Sequence, residues 1–141
     1  MATDVKRIIE DYFAAVNAHN VERIASLFTD DGIFEDVPWG IVHHGKEGVK
    51  ANFSAEFAAI PDLKVERKTL FVAGDWAAAE SVMTGTHTGD FPMLPATGKS
   101  VSVRAASIIE MQGDKIKRNI NYFNMASLMQ QLGVMPEMPS G

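Results

Sequence analysis

The sequence predicts an α+β domain in which a curved antiparallel sheet wraps around N-terminal helices, making a cone with a ligand pocket at its mouth. Three observations predict it. Apolar residues recur at helical spacing as far as Ile60, then alternate with a period of two from Leu63 onward. The turns Gly74-Asp75 and Gly113-Asp114 separate the alternating runs, so consecutive strands pair as antiparallel hairpins. Long twisted strands curl, which leaves the helices only the concave face to cover.

Each element follows from local chemistry. Val5, Ile8, Ile9, Tyr12, Phe13 and Val16 form one helical stripe between Asp4 and Ala18, with Thr3 as the expected cap. His19-Asn20 interrupts it, and Asn20 caps a shorter helix carrying Ile24, Leu27 and Phe28. Thr29-Asp30-Asp31-Gly32 reads as a turn, and Ile33 to Val37 as a short strand stopped by Pro38. Gly45 to Ile60 is helical, with Val49, Phe53 and Phe57 at spacing four, and Pro61 ends it. Four long strands follow, from Leu63, from Trp76 to Thr88, from Lys99 to Met111, and from Lys115 to Phe123. A short helix from Met125 to Leu132 closes the domain, expected to span 1–134, and 135–141 reads as a flexible arm with two prolines.

Bulk properties narrow the function. A chain of 141 residues, 46% hydrophobic and 22% charged, has an ordinary globular composition. Its net charge of −5 supplies no basic surplus for nucleic acid. There are no cysteines, so thiolate chemistry and disulfides are excluded. The charged N-terminus lacks the apolar run of a leader, and no stretch is long enough to span a bilayer; a cytoplasmic protein is expected. The four histidines show no metal-site spacing, so neither a metal nor another cofactor is expected.

Asp11 to Asp36, DYFAAVNAHNVERIASLFTDDGIFED, resembles the opening of the nuclear-transport-factor-2-like (NTF2-like, cystatin-like) superfamily, especially its ketosteroid isomerases. GTHTGDFPMLPATGKS and GDKIKRNINYFNMASLMQQLG look more like the SnoaL-like polyketide cyclases and limonene-epoxide hydrolases. The resemblance implies the cone fold and a small hydrophobic carbonyl ligand, polyketide- or steroid-like. It places Tyr12 where the isomerases hold an enolate-stabilising phenol and Asp36 where they hold the base. Their second acid corresponds to Ser107 or Ala106. The Asp-Tyr-Phe-Asp motif of the cyclases is Asn121-Tyr122-Phe123-Asn124 here, and Ser81 and Met83 replace the hydrolases' Arg-Asp pair.

The residues allow more than one account. Asp36 shares a strand face with Phe34 and precedes Pro38-Trp39, surroundings that desolvate a carboxylate and make it a better base. It also fits a solvent-facing turn. Tyr12 is either a core phenol or an oxyanion donor. Asn119 and Asn121 face inward and either bond Ser107 and each other or hold a ligand carbonyl. His87 falls on the concave face near its strand end, as a second acid/base group or a rim histidine. Trp39, Phe53, Phe57 and Phe91 line the pocket or fill the core. The leading expectation is a cofactor-free isomerase or cyclase with Asp36 as base and Tyr12, Asn121 or Ser107 on the enolate. The alternatives are a non-catalytic binder, which the two amides favour, and a hydrolase or dehydratase using His87 with Asp36. Outward-facing Ala106 and Ile108 point to a homodimer through the sheets.

Overall fold

The computed structural model describes residues 4–135. Helices α1 (Val5–Asn17) and α2 (Val21–Ser26) lead into strands β1 (Phe28–Asp36) and β2 (Ile41–His44). Helix α3 (Gly45–Ala59) precedes the long strands β3 (Lys64–Ala73), β4 (Trp76–Thr86), β5 (Ser100–Gln112) and β6 (Lys115–Phe123), and α4 (Met125–Gln131) follows. The α+β expectation holds, with the helices against one face of a curved, unclosed sheet. Of the expected arm at 135–141, all but Met135 lies outside the described residues, as does Thr3. Among the described residues, no helix is long and apolar enough to cross a membrane.

Local chemistry explains the helix ends. Asp4 itself caps α1, its side chain accepting from the Arg7 amide at 3.1 Å. Val5, Ile9, Tyr12 and Val16 form the buried stripe of α1. His19 adopts a left-handed φ of 54° and ends this helix, and Asn20 caps α2 through the Arg23 amide at 3.0 Å. Asn124 caps α4 in the same way through Ser127.

The sheet departs from expectation in three places. Its order is β2-β1-β6-β5-β4-β3, and β1 pairs parallel with β6, so it is mixed rather than wholly antiparallel. The segment Thr29 to Gly32 belongs to β1 as a register shift between Phe28 and Ile33, not as a free turn. Gly32 sits at that bulge, where a Cβ would come within 3.2 Å of the Ile116 carbonyl oxygen. Finally, β2 pairs antiparallel with β1 on the outer edge, in a stretch whose Ile41 and Val42 are exposed.

Alternation along the strands divides two faces. Val101, Val103, Ser107, Ile109 and Met111 of β5 are buried toward the helices, as are Ala77, Ala79 and Ser81 of β4. On the outer face Arg104 is exposed, as its parity predicts. The helices and the inner face enclose a core centred on Ile9, Phe28, Val49, Ile109 and Ile116, all fully buried. Burying such side chains contributes roughly 2 kcal/mol each.

Candidate active site

Between α1, α3 and the inner face of the sheet lies a cavity of about 300 Å³. Its walls are aromatic and aliphatic. Phe53 of α3 meets Phe34 edge-on at 5.3 Å and Tyr12 at 6.3 Å. Trp39 and Phe91 come together at 5.9 Å where the β4–β5 loop folds over the cavity. Gly89 lets that loop lie against α3, since a Cβ there would overlap the Ala58 carbonyl.

The polar groups collect along the β1–β6 pair. Parallel pairing sets Phe34 opposite Asn119 and Asp36 opposite Asn121, and antiparallel pairing sets Asn121 opposite Ser107. Because side chains repeat every second residue, Asp36, Asn119, Asn121 and Ser107 all face inward together. The Tyr12 hydroxyl donates to Asn119 Oδ1 at 3.2 Å, and Ser107 Oγ donates to Asn121 Oδ1 at 3.4 Å.

Three buried atoms of the lining have no protein partner among the described residues: Asp36 Oδ1, Asn119 Nδ2 and Asn52 Nδ2. Buried polar atoms are ordinarily satisfied, so these three are the cavity wall's free hydrogen-bonding positions. Asp36 is only 4% exposed. Burial raises its carboxyl from the usual range to about 6, while the Asn121 amide draws it down. The Tyr12 phenol is raised well above its ordinary value by burial and by the charge of Glu56.

Sequence reasoning overlooked that glutamate. Glu56 lines the cavity from α3, and burial together with the Asp36 charge raises it to about 8. Asn52 was missed with it. Both lie on the inward stripe Val49-Asn52-Phe53-Glu56, at the offsets i, i+3, i+4 and i+7. That spacing was available in the sequence. Phe57 was preferred for the stripe, but steps of four residues drift by about 40° each. Phe57 therefore leaves the cavity wall and stacks on His19 at 4.2 Å.

His87 is the other correction. It is fully buried rather than a rim residue, and it lies outside the cavity lining. Its Nδ1 accepts from the Thr97 amide at 3.3 Å, its ring packs on Phe91 at 4.8 Å, and burial lowers its pKa. The structure thus brings together Asp36, Tyr12, Asn121, Phe34, Trp39, Phe53, Ser107 and Asn119, and leaves out His87 and Phe57. Of the neighbouring histidines, His43 lines the cavity while His44 is exposed. Among the described residues, no three histidine, aspartate or glutamate side chains gather as a metal site.

The model of the SnoaL-like polyketide cyclases matches residues 6–132. The chain belongs to that family. Solved structures agree on the fold. A protein of ketosteroid isomerase-like fold from Catenulispora acidiphila, in complex with trimethylamine, is 23% identical, with 95% of this chain and 96% of that one covered and a TM-score of 0.81. TsrD from Streptomyces laurentii is 24% identical over 93% and 96%, with a TM-score of 0.82. A cystatin-fold protein from Novosphingobium aromaticivorans is 24% identical over 86% and 99%, with a TM-score of 0.67. Among curated proteins none matches the chain significantly. Family membership supports a cyclase, an isomerase or a related activity, and residue chemistry must carry the rest.

Proposed function

We propose that this protein is a cofactor-free isomerase or cyclase that moves a proton on a small hydrophobic carbonyl compound. One observation carries the reading. Asp36 is a buried carboxylate with an unpartnered oxygen aimed into an apolar cavity, and its pKa of about 6 leaves it ionised yet basic at neutral pH. A proton on the carbon beside a carbonyl is a suitable target. The carbonyl oxygen would meet the unpartnered amide of Asn119 and the Tyr12 hydroxyl, which can exchange its present acceptor for the ligand. Asn121 and Ser107, bonded to each other, hold the β5–β6 side of the pocket, and the Asn121 amide favours the ionised form of Asp36.

The test is deuterium uptake from heavy water into small cyclic ketones, followed by proton NMR. Asp36→Asn should keep its fold and lose about 10³-fold in uptake, the usual scale for a general base. Undiminished uptake in that variant removes the base and leaves a ligand-binding protein, the reading favoured by the amides at 121 and 124.

A homodimer through the outer sheet face belongs to the same proposal. Pairing aligns Phe71, Ala78, Ile108 and Ile120 as one apolar row across four strands, and Phe71 is 69% exposed. Light scattering should return twice the chain mass; a monomer mass at micromolar concentration refutes it.

A further inference from the structure

Helix α3 turns a second carboxyl toward the cavity, and the proton transfer above gives it no task. Glu56 stands one helical turn beyond Asn52 and Phe53, on the stripe that faces the sheet. Across the cavity it meets Asp36 from β1 and Tyr12 from α1, and His43 of β2 is the remaining titratable side chain of the lining. Among the described residues, no lysine or arginine lines the cavity. The other charges near α3 are engaged elsewhere. Lys50 pairs with Glu22 of α2 at 3.1 Å and with Glu47, Lys46 pairs with Asp30, and Asp90 borders the outer cleft beside Ala58.

A carboxyl group that shares a largely apolar cavity with a carboxylate, and has no cation beside it, favours its neutral form. The two acids are not equivalent. Asp36 has the Asn121 amide to hold its charge, whereas Glu56 has burial and the Asp36 charge against ionisation. At neutral pH the pair therefore favours holding one proton, and Asn121 opposite Asp36 on the sheet biases that proton toward Glu56.

We propose that Glu56 is the acid of this site, giving its proton to the substrate's carbonyl oxygen while Asp36 takes one from the neighbouring carbon; the assignment rests on the proton-transfer reading above. The C–H bond breaks, its proton passes to the Asp36 carboxylate, and its electron pair becomes the C=C bond of an enol. The carbonyl π pair accepts the Glu56 proton, leaving a neutral enol, a protonated Asp36 and an ionised Glu56. Asp36 then returns its proton to a different carbon, the enol proton goes back to Glu56, and both acids are reset. The pair carries a single negative charge throughout, first on Asp36, then on Glu56 and finally on Asp36 again, so no solvent ion has to enter.

Two measurements on the full chain decide it. With carbon-13-labelled glutamate, the side-chain carboxyl signal that disappears in Glu56→Gln should titrate near pH 8, and lower in Asp36→Asn. Deuterium uptake into cyclohexanone, cyclohexenone and tetralone should rise through about pH 6 and fall through about pH 8. Glu56→Gln should lower uptake at pH 7 about 100-fold and abolish the fall at high pH. A Glu56 signal that titrates below pH 7 overturns the assignment, and so does a Glu56→Gln variant with unchanged rate and profile. In either case loss of uptake in Asp36→Asn leaves the base standing. Failure of the unaltered protein to exchange any of the three ketones overturns both. Should Glu56→Gln not fold, the labelled native protein decides: no glutamate carboxyl titrating above pH 7 overturns it.

Discussion

The Asp36 end of β1 and the His87 end of β4 are alike on paper. Each buries a titratable side chain, and each leaves one polar atom unpartnered, Asp36 Oδ1 in one case and His87 Nε2 in the other. They differ in what lies in front of that atom. Asp36 looks across a cavity of about 300 Å³, whereas His87 is sealed under Phe91 with Thr97 held to its other nitrogen. Burial perturbs both groups, but it prepares chemistry only where a substrate can reach the perturbed atom. At His87 the same desolvation fixes a neutral ring that anchors a loop.

Substitution at the two sites should separate these roles. The largest effect is the loss of about 10³-fold in ketone exchange for Asp36→Asn, set against a His87→Gln variant whose rate stays within about twofold of the parent. A His87→Gln protein as inactive as Asp36→Asn would erase the distinction. Next in size is the pH dependence of stability, which should run in opposite directions. Asp36 has a folded pKa of about 6, above its unfolded 3.8, so its contribution is whole below pH 4 and is lost as pH rises through 6. Chemical denaturation at pH 4 and pH 8 should show that difference shrinking by up to about 3 kcal/mol in Asp36→Asn. His87, lowered by burial, contributes above its ordinary 6.5 and loses that contribution as pH falls. The smallest effect is His87→Ala, which should cost about 2 kcal/mol at pH 7, less at pH 5, by opening a void beneath Phe91 and freeing the Thr97 amide. Full stability in that variant would show that the loop needs no such anchor.

How far the sequence reached depends on the range of the interactions involved. Parity along β6 was enough to put Asn119 and Asn121 on one face, which the family resemblance turned inward, and helical spacing was enough to bury Tyr12. The partners of these residues were beyond it. That β1 lies parallel to β6, setting Asp36 beside Asn121, follows from packing of the whole sheet and from no local signal. Glu56 was legible in principle, since it sits at i+7 from Val49, but a second phenylalanine at spacing four, Phe57, drew the stripe the wrong way. For His87 the face was right and the burial wrong, because the residues that cover it come from a loop without periodicity.

The parallel pairing of β1 with β6 also bears on the order in which the protein is made and folds. Asp36 and Asn121 are 85 positions apart, whereas β3 to β6 join neighbour to neighbour, through short turns at Gly74 and Gly113 and through the β4–β5 loop. Contacts between distant segments carry the larger loop-closure cost and form late. A ribosome delivers Asp36 in the first third of the chain, yet β1 must wait for β6 before its ladder can close. The meander can zip up while Asp36 is still in water. The base would then become dry, and its pKa rise, only as the last seam of the sheet closes.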